Sequence, residues 1–256
     1  MSDALLHIEG LNKRFGGVIA SDDVTLAIPE GELHAVIGPN GAGKTTLIGQ
    51  LAGEIAPDSG RIVFAGADIT EVRAWRRSLL GVSRSFQVTS LFLDFTALDN
   101  VALAAQAHAG HSFRFWRDAR HEPALREAGH AALERVGMIE RANMRVAQLS
   151  HGEQRQIEIA MALASNPRLL LLDEPMAGLG ANESARMLAL LRELKRQYTI
   201  VLIAHDMDAV FALADRISVL VYGRVIATGA PEAIRANAQV RQAYLGESGE
   251  AGIGDG

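Results

Sequence analysis

Nine residues, Gly38-Pro39-Asn40-Gly41-Ala42-Gly43-Lys44-Thr45-Thr46, narrow the possible folds more than any other part of the chain. They follow a short apolar run, Leu33 to Ile37, and open a stretch with helical spacing, Lys44 to Ala52. A strand that passes through a G-x-x-x-x-G-K-[ST] loop into a helix is the context a phosphate-binding loop requires. The glycines let the backbone approach phosphates closely, and successive N–H groups and the helix N-terminus then face the anion. In that geometry Lys44 reaches the β- and γ-phosphates, and the Thr45 hydroxyl is placed to ligate magnesium. The alternative is a glycine-rich turn before a helix. For a chain of this composition an accidental match is expected on the order of 0.002 times, so the turn reading is weak. It is weaker still because lysine is rare here and one lysine stands at this position.

The remainder of the chain suits such a core. At 256 residues and 48% hydrophobic, with 21% charged residues, it is too apolar for disorder and long enough for one large or two modest domains. A net charge of -5 gives no global basic field for a nucleic-acid backbone. The absence of cysteine excludes disulfides, thiolate zinc sites and a cysteine nucleophile. The segment Met1 to His7 does not read as an export signal, and no apolar run approaches the ~18 residues of a membrane span. A cytoplasmic chain, peripheral to any membrane, is expected.

The runs Leu33 to Ile37, Leu169 to Leu172, Ile200 to Ala204 and Ile217 to Val221 read as buried strands. Lys44 to Ala52, Asn182 to Arg196 and Met207 to Ala214 read as helices, which makes both ends of the chain an α/β core with a largely parallel sheet. The middle reads as a helical insertion, with helices at Leu98 to Ala109, Ala124 to Val136 and Glu153 to Ala164. Loops are expected at Val88 to Thr96 and Gly110 to Pro123, and a disordered tail from Gly246 to Gly256. The run Arg73 to Arg77 reads as a solvated helical face. Trp75 and Trp116 carry no role beyond packing or a partner surface. His108, His111, His121 and His130 do not read as a metal cluster, because no carboxylate partner is fixed beside them.

Two further segments carry chemistry. Leu169-Leu170-Leu171-Leu172-Asp173-Glu174 is an apolar strand ending in two acids: Asp173 suits a magnesium site, and Glu174 suits polarising a water for attack on a γ-phosphate. Ser150-His151-Gly152-Glu153 is an S-x-x-E capping box. A capped, glycine-containing helix start can also offer a hydroxyl and N–H groups to a phosphate.

Taken together, these residues resemble the nucleotide-binding subunits of ABC transporters. Leu149-Ser150-His151-Gly152-Glu153-Gln154 resembles the LSGGQ signature, Gln87 in Ser85-Phe86-Gln87 the Q-loop glutamine, and His205 in Ile203-Ala204-His205-Asp206 the switch histidine. Phe15 occupies the place of the aromatic that stacks on adenine. The resemblance spans about Leu6 to Leu245. Within the family the chain is most similar to the longer ATPase subunit of branched-chain amino acid importers. Phe15-Gly16-Gly17-Val18, Ser85-Phe86-Gln87 followed by Leu91-Phe92, the insertion between Ala109 and Pro123, Glu158-Ile159-Ala160 and Ala243-Tyr244-Leu245-Gly246 carry that likeness.

The resemblance implies an α/β fold, a P-loop ABC ATPase core with a mostly parallel sheet, an antiparallel β subdomain and a helical subdomain insertion. It implies one domain over 1–245, with the core at about 1–87 and 165–245 and the insertion at about 88–164. The implied cofactors are ATP and Mg2+. Phe15 and Gly38 to Thr46, with Ser150 and Gly152 of a partner, would bind nucleotide; Thr45, Gln87 and Asp173 would organise magnesium. Glu174, His205 and Gln87 would be catalytic. The implied partners are transmembrane permease subunits, a second ATPase subunit in a head-to-tail dimer and, indirectly, a solute-binding protein. An exporter ATPase, of the kind that serves lipopolysaccharide transport, or a soluble ABC ATPase of translation or repair are the competing readings. So is a non-hydrolysing module, which the presence of Glu174 opposes. Two positions depart from the family: His151 replaces the first signature glycine, and Gly180 stands where the D-loop normally carries aspartate.

Overall fold

The computed structural model describes residues 4–85, 91–108 and 122–243. Gln87, His111, Trp116, His121, most of the expected 110–123 loop, and the 246–256 tail lie outside the described residues, as do positions 88–90. The described residues fall into two compact bodies, one from 4–74 and 195–243, the other from the described part of 75–194.

The first body begins with two long antiparallel strands, β1 (Ala4–Phe15) and β2 (Val18–Pro29). Next come β3 (Leu33–Ile37), α1 (Lys44–Ala52), β4 (Ser59–Phe64) and β5 (Ala67–Asp68). β1 pairs with β4 on its other edge and β4 with β5, giving an antiparallel sheet in the order β2-β1-β4-β5. The pairing of β1 with β2 shifts register at several points between Ala4 and Arg14. These bulges add twist and break the two-residue alternation that marks a strand in sequence.

The second body contains α2 (Ala74–Leu79), β6 (Val82–Arg84), α3 (Ala97–His108), α4 (Pro123–Arg135), α5 (His151–Leu163), β7 (Leu169–Asp173) and α6 (Ala181–Leu194). Short 3-10 turns lie at Ile139–Arg141 and Val146–Gln148. β6 runs parallel to β7. α3, α4 and α5 pack together around Ala102, Ala105 and Leu125, with Ala128 and Ala164 against them. Gly129 permits the approach of α4 to α3, since a Cβ there would lie 2.8 Å from Leu98 Cδ1. An isolated antiparallel bridge joins Thr96 to Arg145. The expected solvated face at Arg73 to Arg77 is corrected at one residue. Arg77 is 1% exposed, while Trp75 (59%) and Leu79 (50%) face solvent. In so short a helix it is the arginine that turns inward, so its charge pattern misreports its buried side.

The chain then returns to the first body through β8 (Thr199–Ile203), α7 (Met207–Leu213), β9 (Arg216–Val221), β10 (Arg224–Gly229) and α8 (Pro231–Ala236). β3 lies between β8 and β9, parallel to both, and β10 closes this edge antiparallel to β9. Every residue of β3 and β8 is buried, as central parallel strands require when both faces are covered. Their polar members are paired: His34 bridges Glu32 Oε1 at 2.7 Å and Ser218 Oγ at 2.8 Å, and Ser218 meets Thr228 Oγ1 at 2.7 Å. The α/β class, the parallel strands and the antiparallel sheet agree with the expected fold. Among the described residues no helix is long and apolar enough to cross a membrane.

Candidate nucleotide site

The loop from Gly38 to Gly43 connects the buried end of β3 to α1. Two glycines are demanded by their surroundings. A Cβ on Gly38 would run into the carbonyl of Leu220, and one on Gly43 into the carbonyl of Ala20. Gly43 also has φ +101, a left-handed conformation that L side chains rarely adopt. It is the N-cap of α1, with no side-chain cap and no acidic residue in the first turn. The positive end of the helix is therefore compensated by neither its cap residue nor its own first turn, and is suited to an external anion.

Lys44 is 7% exposed and folds back over its own loop, donating from Nζ to the carbonyls of Gly38 at 2.6 Å and Pro39 at 2.9 Å. The loop is braced from behind by the β9–β10 hairpin: Gly223 N–H donates to Ala42 O, and Asp22 N–H to Gly223 O, both at 2.9 Å. Thr45 is exposed and Thr46 half-buried at the helix start. Phe15, at the end of β1, exposes 49% of its surface, with Lys13 Nζ 5.4 Å from the ring centroid. Lys13 also pairs with Asp58 at 2.7 Å and, with the Arg14 N–H, holds that carboxyl below its ordinary range. His205 is exposed just beyond β8, and Asp206 beside it caps α7 by accepting from Ala209 N–H at 3.1 Å.

The second body holds the other set of residues. Asp173 ends β7 and is 2% exposed. Arg84 on β6 donates from Nη2 to Asp173 Oδ2 at 2.9 Å, placing a guanidinium against the carboxylate expected to serve magnesium. Sequence reasoning missed Arg84; its only signal was its place before Ser85-Phe86-Gln87. Glu174 is half-buried at φ +50, a left-handed backbone uncommon for a non-glycine residue. Gln87, expected in the same set, lies outside the described residues.

Ser150 caps α5 as its sequence predicts. Its Oγ accepts from Glu153 N–H at 3.3 Å, and Glu153 Oε2 accepts from Ser150 N–H at 2.9 Å. A second carboxylate joins Glu153 there, one that sequence reasoning did not find. Ser150 Oγ donates to Glu183 Oε1 at 2.8 Å and Gly152 N–H to the same oxygen at 3.2 Å, while Gly180 N–H reaches Oε2 at 3.4 Å. These contacts, the Ser150 hydroxyl first, hold the Glu183 carboxyl below its ordinary range.

A buried parallel strand feeding a glycine-rich loop and an uncapped helix, with an acid-tipped strand in the same chain, defines a P-loop nucleotide-binding protein. Comparison with known proteins gives the family. Residues 21–177 match the family described as ABC transporter, and residues 224–250 match the one described as branched-chain amino acid ATP-binding cassette transporter. The chain is 38% identical to the high-affinity branched-chain amino acid transport ATP-binding protein LivG of Salmonella typhimurium, over 97% of its own length and 100% of the relative's. It is 39% identical to BraF of Pseudomonas aeruginosa, which carries the same description, with the same coverage.

Among solved structures, a nucleotide-free ATP-binding cassette from an ABC transporter superposes with a TM-score of 0.85 at 27% identity, covering 98% of this chain and all of that one. The ADP conformation of the cassette MJ1267 gives 0.85 at 27% identity, covering 95% and 99%. A dimeric, post-hydrolysis cassette, MJ0796 bound to ADP and Pi, gives 0.74 at 25% identity, covering 88% and 98%. The chain belongs to the ATP-binding subunits of the ABC transporter family, and it is an ABC ATPase that binds ATP.

Proposed function

We propose that this chain powers the uptake of branched-chain amino acids, or of closely related small solutes, through a separate membrane permease that it engages from the cytoplasmic side. The observation that carries this reading is the full-length likeness to LivG and BraF, joined by the specific match of residues 224–250. A solute-binding protein would deliver the solute to the permease, and two ATPase subunits would close head-to-tail; that the similar cassette MJ0796 is dimeric supports pairing.

In this reading Phe15 stacks on adenine and Gly38 to Thr46 cradle the phosphates. Lys44 exchanges the carbonyls of Gly38 and Pro39 for phosphate oxygens, which is supported by its position over the loop. Ser150 and Gly152 serve the nucleotide of the partner subunit. The residues fit magnesium, because the Thr45 hydroxyl and the Asp173 carboxylate are hard oxygen donors and Asp173 already attracts a cation, Arg84. Gln87 would complete the set, and the bound ion would neutralise charge on the β- and γ-phosphates. Glu174 orients the attacking water and His205 contacts the γ-phosphate.

The helical segment from about 88 to 164 is the insertion that receives the permease, set in a core of about 1–87 and 165–245. Support comes from Phe92 and Leu93, 56% and 49% exposed, with the Phe92 and Phe95 rings stacked at 5.3 Å. Leu91, by contrast, is buried and belongs to the packing beneath. The test is reconstitution with the co-expressed permease, sibling ATPase and binding protein in proteoliposomes. ATP-driven accumulation of leucine, isoleucine or valine supports the reading, and solute leaving the cytoplasmic side instead would assign an exporter.

A further inference from the structure

The donors at the head of α5 are already in use. Ser150 has one hydroxyl proton, and it is given to Glu183 Oε1, which also takes the Gly152 N–H. The fit is close: a Cβ on Gly152 would lie 2.9 Å from both Cδ and Oε1 of Glu183. These are the two groups that, in the head-to-tail reading, must reach the partner's γ-phosphate. A carboxylate and a phosphoryl group are both anions seeking the same hydrogens, and they cannot share one position without strong repulsion. Glu183 stands in the first turn of α6, so rotation about its side-chain bonds can withdraw the carboxylate while the helix stays in place.

We propose that Glu183 is a built-in occupant of the phosphate donors of α5, an autoinhibitory contact that the γ-phosphate must displace before two subunits close on ATP. This rests on the head-to-tail reading above. The carboxylate raises the ATP concentration at which closure occurs, because ATP must supply the free energy of displacement as well as that of docking. Withdrawal also releases the Gly180 N–H, which Glu183 now holds. Freeing the signature helix and loosening the segment that lacks the D-loop aspartate are thus one event.

The test uses the full chain carrying Glu174→Gln, alone and co-expressed with the sibling subunit, with dimer formation followed by light scattering across an ATP titration. Adding Glu183→Ala should lower the ATP midpoint by about tenfold or more, and Glu183→Gln, which keeps the shape without the charge, should fall between. ATP affinity of the dilute monomer should stay within about twofold, since Glu183 faces the partner's nucleotide rather than the chain's own. If Glu183→Ala unfolds, Glu183→Gln carries the comparison. An unchanged or raised midpoint, with the parent still dimerising, overturns the proposal and makes Glu183 a support for Ser150; the head-to-tail reading survives. No ATP-dependent dimer in any arm overturns both.

Discussion

At the scale of single residues, the phosphate loop stores a charge where it will be needed. Lys44 is buried, and its ammonium donates to two carbonyls of its own loop, neutral acceptors that phosphate oxygens can replace. Replacing Lys44 by Ala should reduce turnover by at least about a hundredfold while leaving the chain folded, if the side chain serves the phosphates as proposed. Fluorescent-nucleotide binding and steady-state ATPase assays check this; activity within about twofold of the parent would sink the loop assignment. Gly43 is the opposite case. Its left-handed φ and the Ala20 carbonyl beside it leave no room for a methyl group, so Gly43→Ala should cost about 1–3 kcal/mol or more of stability, measurable by denaturant unfolding.

At the scale of elements, α5 joins an end proposed to meet nucleotide to a structural interior. Its capping box is complete, so Ser150→Ala should cost about 0.5–2 kcal/mol of stability in addition to any loss of activity. Further along the same helix, Glu158 is 5% exposed and pairs with Arg155 at 2.8 Å. Burial pushes its carboxyl above the ordinary value of 4.5, and the Arg155 hydrogen bond opposes that rise without cancelling it. The folded chain therefore holds this proton more tightly than the unfolded chain does. Its contribution is most favourable below 4.5 and declines as the pH rises through the raised folded value. Glu158→Gln should remove that decline. Unfolding midpoints measured between about pH 4 and 7 should show the variant gaining on the parent as the pH rises; a constant difference would refute the assignment.

At the scale of the whole molecule, the proposed coupling to a permease would call for a surface that transmits force without holding the fold together. Phe92 is exposed and its backbone is fixed by Asn100, which accepts from Phe92 N–H and donates to its carbonyl. Phe92→Asp should uncouple solute uptake in proteoliposomes and leave the ATPase activity of the isolated subunit within about twofold of the parent. Leu91→Asp, at a buried neighbour, should instead lower the melting temperature. If both variants behave alike, the segment is packing and not a docking surface.

How much of this was legible in sequence depends on whether the cause was local. The phosphate loop, α1 and the Ser150 capping box could be read directly, since glycine freedom, helical spacing and a reciprocal cap act over a few neighbouring residues. The strands β3, β7 and β8 were legible for a related reason, because burial on both faces leaves a continuous apolar run. β1 and β2 escaped, as register shifts and half-solvated faces blur their alternation. Arg77 was misjudged because a charge pattern does not say which side of a short helix faces the core. The two contacts that most shape the site were also beyond reach: Arg84 meets Asp173 only because β6 lies parallel to β7, and Glu183 meets Ser150 only because α6 is carried back to the head of α5. Local chemistry was written in the order of residues. Which charges face one another was decided by tertiary packing, since hydrogen bonds between distant residues depend on where the core places their backbones.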